Sequence, residues 1–426
     1  MSYNEFFNKG KELGFTDIEL VIKEGISSDV KISNDEVIYY QNDGGSSYEI
    51  KAIINDHCVE MVSDYLDIDI LYLLKEKASV VEDKYKVDLL NNSSINNTID
   101  YNLDYENINS IIDKLLTYNN LRSNIVNKVI SYFSYSKSIK RIINTNGVDI
   151  ITPSTTYKVY MQLVNENNDR TTQVGESILV SSIDKFDFDK LFNSLNKELS
   201  YKLEENSITS GKYNVIIKND VLSILIGKML SSLNIESICE NTSFFKDLKD
   251  TKVFSDKLSI IEDPLNKECP GYTLFDDEGT LTSYKEIITN GVLNTYIYDN
   301  KNASKYNTIS TGNRYSNSIG FRNTYIKEGN KSFDELLLKL GNGIIIDECM
   351  GYHASIKLNN GDISLQAFGL IVEDGKIISS FIPVVMTTNY KELFSSIDEI
   401  GSDLKFYSMS FGSPSILFNN ISIASK

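Results

Sequence analysis

The stretch Gly211–Leu233, GKYNVIIKNDVLSILIGKMLSSL, places two different periodicities side by side. Tyr213–Ile217 is a short run of β-branched and aromatic residues, the composition of a buried strand. Beyond it Val221, Leu222, Leu225 and Met229 recur at helical spacing and give one apolar stripe over about Val221–Leu233. Downstream the chain turns mostly to β. Asn290-Gly291, Asn360-Gly361 and Asp374-Gly375 each separate β-branched or aromatic runs, as tight hairpins with positive φ angles require. Two helices interrupt these strands, one from the capping box Ser332–Glu335 to Gly341, the other from about Asn389 to Ile400. Residues 211–426 read as a large β-rich C-terminal domain.

Working back toward the N-terminus, Ser2 and Glu5 form a capping box, and Phe6, Phe7 and Leu13 give a short amphipathic helix closed by Gly14. Ile18–Ile22, Val37–Tyr40, Tyr48–Ile54 and Cys58–Val62 follow as expected strands, with Asn55-Asp56 a turn and Asp67 capping a helix through Ala78. Residues 1–90 thus form an α/β unit, ended by the polar linker Asn91–Asn97. Residues 105–207 form a second α/β unit, opened by a helix carrying Ile108, Ile111, Ile112 and Leu115 and containing an Asn146-Gly147 hairpin. The fold class is α+β and multidomain, in keeping with a chain of 426 residues, which exceeds what one core usually supports.

The net charge of −17 repels phosphate backbones, and the basic residues are interleaved with acids, as in Asp247–Lys252, so neither nucleic acid nor an anionic membrane is an expected partner. The four cysteines, Cys58, Cys239, Cys269 and Cys349, form no CxxC pair, which argues against a disulfide framework or a zinc ribbon. Met1–Gly10 is too polar for a signal peptide and no segment reaches membrane-spanning length, so the cytosol is the expected compartment.

The two histidines, His57 and His353, allow no HExxH or HExxxH helix. Cys349 and His353 would share a helical face, but Gly351 favours a turn; the plain reading is a buried thiol beside a hydrogen-bonded imidazole, and the sharper one a metal site lacking a visible third ligand. Asp276, Asp277 and Glu278 before Gly279 offer hard oxygen ligands, although adjacent acids are more often a solvated or turn-forming element. Ser310, Thr311, Gly312 and Asn313 before Arg314 form a turn-prone loop, either an ordinary surface loop or one presenting N–H groups to a carboxylate. GxSxG and Walker A patterns are absent.

The ordered set Phe275–Gly279, Asn290–Leu293 and Ser310–Asn313, with Gly361–Ser364, Glu373–Ile377, Gly401–Leu404 and Gly412–Ser415 downstream, resembles the signature of the TldD/PmbA family, historically called modulators of DNA gyrase. With Tyr48–Ile54 and the helix after Asp67 the resemblance covers nearly the whole chain, and its ending looks like the PmbA, or TldE, branch. The resemblance implies peptidases acting on small or unfolded peptides, whose TldD-type subunit carries an HExxxH helix completed by a C-terminal cysteine. Here Gly227, Lys228 and Ser232 stand in place of the family's His, Glu and His, and Phe411 falls near the cysteine position. Zinc and its general base are therefore expected only in a TldD-type partner, with no cofactor and no catalytic residue in this chain.

Three functions follow as expectations: a noncatalytic subunit that pairs with a TldD-like chain in a hollow dimer, a homodimeric peptide-binding or regulatory protein, or a hydrolase using the acid cluster or Cys349 and His353. In the first, the helix around Gly227 is retained for packing, and the acid cluster and the Ser310–Asn313 loop shape the chamber or interface.

Overall fold

The computed structural model describes residues 1–33, 35–80, 89–90, 101–167, 170–316 and 318–425; the expected linker Asn91–Asn97 lies outside them. Helix α1 (Tyr3–Glu12) starts at the Ser2/Glu5 capping box and buries Phe6 and Phe7. Then come β1 (Asp17–Ser33), β2 (Glu36–Ile54), β3 (His57–Ser63) and α2 (Ile68–Val80). After α3 (Asn109–Asn119), strands β4 (Lys128–Asn144), β5 (Asp149–Asn167) and β6 (Arg170–Val180) lead to α4 (Phe188–Lys202). All these strands form one antiparallel six-stranded sheet, ordered β3-β2-β1-β4-β5-β6.

Strand alternation gives that sheet two unlike faces. On one, Ile18, Leu20 and Ile22 pack with Phe6, Phe7, Ile70 and Leu74, while Val30, Ile32, Phe133 and Val159 pack with Leu115, Leu191 and Leu195, so all four helices lie on this side. On the other face the cross-strand rows are Glu49–Val21–Ile142–Ile150, Ser47–Lys23–Lys140–Thr152 and Gly45–Gly25–Ser138–Ser154. Among the described residues that face carries a small apolar cluster, Val21, Ile142, Val148 and Ile150 around Phe275.

One expectation is corrected here. Val37–Tyr40 and Tyr48–Ile54 are not separate strands but parts of the 19-residue β2. The Gly/Ser-rich segment between them stays in register with β1, Gly45 opposite Gly25, and the chain reverses instead at Asp35, whose φ is 69°.

In the C-terminal half, β7 (Glu205–Asn206) and β8 (Gly211–Ile217) precede α5 (Asn219–Ser231). Strand β8 lies between Gly343–Met350 and Ile416–Ala424 in an eight-stranded sheet. The hairpin strands Asp362–Glu373 and Lys376–Asn389 also pair with each other, which closes the central strands into a ring. A second six-stranded sheet carries Ile260–Glu262, Thr324–Ile326 and Phe411–Ser413. Helix α5 is buried between these layers, with Val221, Leu222, Leu225 and Met229 all at or near zero exposure.

The turns at Asn290-Gly291 and Asp374-Gly375 have the expected positive φ angles, and the Ser332/Glu335 capping box opens the helix Phe333–Leu340. The helix expected over Asn389–Ile400 is shorter. It ends at Ser395, because Ile397–Ile400 pairs as a strand with Ile416–Phe418 and buries Ile397 and Ile400.

Leu225→Ala removes a side chain with no exposed surface from this core, and the expected loss is about 2–5 kcal/mol in urea unfolding. A change within about 0.5 kcal/mol would contradict the buried stripe.

Candidate functional site

The acid cluster occupies the tip of a hairpin that reaches from the C-terminal half to the charged face of the long sheet. Phe275 and Leu281 pair across it, and Asp276 N–H donates to Thr280 O at 2.9 Å. Gly279 turns the chain at φ 76°, and a Cβ there would lie 2.4 Å from Glu19 Oε1 and 2.5 Å from Ile142 Cδ1. The reading of these acids as solvated is overturned, since Asp276, Asp277 and Glu278 are 0%, 7% and 7% exposed. The turn-forming part of that reading stands: Asp276 Oδ1 accepts from the N–H groups of Glu278 and Thr280, both at 2.9 Å.

Each carboxylate has a separate task. Asp277 places Oδ1 2.8 Å from Lys140 Nζ and Oδ2 2.7 Å from both Lys23 Nζ and the Ser316 N–H. Burial works against its charge, but these two ammonium groups prevail and hold Asp277 well below the usual carboxylate range. Glu278 Oε2 accepts the Asn300 N–H at 2.8 Å, while its backbone carbonyl accepts from Lys51 Nζ at 2.6 Å. Burial, with Asp276 adding to it and Lys51 opposing, pushes Glu278 up to about 8. Asp276 is raised to about 6, again by burial. Glu278 borders a cavity of about 260 Å³ lined also by Glu19, Lys51, Glu60 and Arg314.

The Ser310–Asn313 loop packs against this hairpin. Thr311 N–H and Oγ1 both donate to Tyr298 O, Ser310 Oγ lies 3.3 Å from the same carbonyl, and Gly312 turns at φ 70° with a would-be Cβ 2.8 Å from Leu281 O. Asn313 is fully buried and gives its Nδ2 to Glu262 and to Gly320 O. The carboxylate met by this loop belongs to the chain itself: Arg314 N–H donates to Asp276 Oδ2 at 3.0 Å, and Asp277 N–H returns to Arg314 O at 2.7 Å. Arg314 Nη1 is paired with Asp299 at 3.0 Å.

Residues 227, 228 and 232 lie elsewhere, on and just beyond α5. A Cβ at Gly227 would fall 2.9 Å from Phe411 Cδ2, and that ring also meets Phe321 with centroids 5.6 Å apart. Ser232 turns its hydroxyl back to Met229 O at 2.7 Å. A zinc ion does not fit these residues, because glycine and phenylalanine offer no donor, Lys228 a cationic amine and Ser232 a committed hydroxyl. Among the described residues no group of three or more His, Cys, Asp or Glu side chains is arranged to hold a metal. Cys349 is buried at the end of a strand and hydrogen-bonded with Tyr352, while His353 is exposed on the following turn, so that pair is not brought together as a buried unit.

Sequence reasoning missed Lys23, Lys51 and Lys140, the cations that receive the hairpin. Their signal was faint but present: Glu19 and Lys23, and Glu49 and Lys51, are charges at alternating positions of one strand face.

A solved structure described as a putative modulator of a DNA gyrase from Thermotoga maritima is similar over 99% of both chains, with a TM-score of 0.89 and 22% identity. TldE from Thermococcus kodakarensis is similar over 99% of both chains, with a TM-score of 0.88 and 18% identity. The architecture is thus that of the gyrase-modulator and TldE structures. The family model described as the PmbA/TldA metallopeptidase C-terminal domain matches residues 210–425, and this chain belongs to the PmbA/TldD family of metallopeptidase-like proteins. A metalloprotease PmbA homologue from Buchnera aphidicola (subspecies Acyrthosiphon pisum) is 28% identical over 66% of this chain and 62% of its own length. The matched regions span 44–62% of the lengths of the first three curated relatives. No helix among the described residues is long and apolar enough to cross a membrane.

Gly279→Ala is expected to destabilise the chain by roughly 2 kcal/mol or more, read as a lowered Tm, because the new Cβ meets Glu19 and Ile142 at a positive φ. Wild-type stability in that variant would mean the hairpin is not locked to the sheet. Glu278 supplies a pH signature. Its folded pKa of about 8 exceeds the ordinary 4.5, so its contribution to stability is complete below pH 4.5 and lost as pH rises through 8. Asp277, being depressed, acts oppositely and only in acid. Between pH 7 and 9 the wild-type Tm should fall and Glu278→Gln should flatten that fall; equal slopes would refute the assignment.

Proposed function

We propose that this chain is the metal-free, TldE-like subunit of a cytosolic peptidase assembly, pairing with a TldD-type chain that supplies zinc and cuts small or unfolded peptides. The contact between Gly227 and Phe411 carries this reading. These are two of the positions where TldD-type subunits are expected to hold metal ligands, and here they meet as apolar packing inside the C-terminal core. Glycine, lysine, serine and phenylalanine at these four positions supply neither zinc ligands nor a general base for activating water.

The long sheet supports the partner role. Among the described residues strand β3 pairs with Tyr48–Ile54 of β2 alone, and beyond it Val37, Ile38, Tyr39 and Tyr40 are 42%, 54%, 41% and 52% exposed. Consecutive exposed apolar residues on a strand suit burial against another chain. The acid lock and the Ser310–Asn313 loop act as architecture in this reading, setting the sheet against the C-terminal half so that a chamber wall has one shape.

Co-expression with a TldD-type chain, followed by elemental analysis and a peptide-cleavage assay, tests the proposal. The expected result is a stoichiometric pair whose zinc resides in the partner and which alone cleaves peptides. Failure to associate, stoichiometric metal in the isolated chain, or cleavage by it unaided would overturn it.

A further inference from the structure

Beside the acid lock lies a cavity of about 510 Å³ between the long sheet and the C-terminal half. Its floor is the cross-strand row Gly45–Gly25–Ser138–Ser154, in which no side chain is larger than serine. Four strands at about 4.8 Å spacing make that row about 14 Å long, room for about four extended residues. The roof is Tyr272, Tyr315, Arg322 and Met409.

The charged residues that line this cavity are Lys23, Lys140 and Arg322 with Glu24 and Asp277. Lys23 and Lys140 are matched by Glu49 and Asp277. Arg322 is not. Its guanidinium stacks on the Tyr315 ring at 4.1 Å, and Nη1 donates to Phe321 O at 3.1 Å and Ser410 Oγ at 3.3 Å. Glu262, which accepts the Arg322 backbone N–H, is occupied by Lys285 and Asn313. Among the described residues no carboxylate forms an ion pair with the Arg322 side chain. A stacked guanidinium with donors to spare, facing a cavity in a chain of net charge −17, is built to receive a carboxylate.

We propose that this groove binds an extended peptide segment across its Gly/Ser floor and that Arg322 receives the segment's C-terminal carboxylate. The inference rests on the peptide-handling reading above and adds which end of the peptide is recognised and by which residue. The small floor lets a peptide backbone approach the sheet closely, and Tyr315 fixes the guanidinium plane so that little freedom is lost on binding.

The test uses the purified full chain alone, titrated with acetylated pentaalanine bearing a free carboxylate and with the same peptide as its amide. The acid should bind about tenfold more tightly or better, the scale of one charge-assisted contact. Arg322→Gln should reduce the acid to the affinity of the amide. Ser138→Phe, which fills the floor, should weaken both peptides, with circular dichroism reporting an intact fold. Equal affinity for acid and amide, an unaffected Arg322→Gln, or no binding at millimolar peptide would overturn the proposal. Because no partner is present, failure to pair with a TldD-type chain leaves this result standing, and loss of the carboxylate preference leaves the pairing proposal standing.

Discussion

Asp277 sits between two lysines of the long sheet, Lys23 on β1 and Lys140 on β4, and the seating of its hairpin on that sheet depends on this contact. The apolar contact between this hairpin and the sheet is the small cluster around Phe275, far less than covers the opposite face of the same sheet. Buried ion pairs return little net stability, since desolvation offsets most of the attraction. They do penalise every arrangement that leaves one member unpaired. Asp277, with the Ser316 N–H completing its shell, admits one register of hairpin on sheet. Lys51 repeats the constraint one row pair away, reaching the Glu278 carbonyl and lying near Glu19 and Glu60.

Local features were legible in the sequence wherever their physics was local. The capping boxes at Ser2 and Ser332, the Asn290 and Asp374 turns and the stripe of α5 each involve residues a few positions apart. The continuity of β2 was not legible, because Asn42-Asp43-Gly44-Gly45 has the composition of a turn and is held extended by β1 alongside it, with Tyr105 Oη donating to Asp43 O. The strand Ile397–Ile400 was hidden for a similar reason, its partner lying in the last strand.

The acid cluster shows the limit most sharply. Three adjacent acids ordinarily seek water, and their burial here is compensated by lysines more than a hundred residues away in the chain. Composition cannot reveal such a pairing. Ordered motifs singled out these residues through their resemblance to a family, but gave no sign of the contacts they make. Arg314, next to the Ser310–Asn313 loop, bridges Asp276 and Asp277, and Asn313 fixes Glu262.

That division separates architecture from chemistry within one chain. The Phe275–Gly279 segment meets the long sheet, whereas the positions expected to decide metal binding lie on and just beyond α5 and at Phe411. Tyr315 joins the lock to the neighbouring groove, because Lys140 lies over its ring at 5.5 Å and Arg322 at 4.1 Å. Lys140 is committed to Asp277, so it holds the ring in place while Arg322 keeps donors to spare. A lock of buried charge thereby fixes the orientation of the one guanidinium in the groove that has no acidic partner among the described residues.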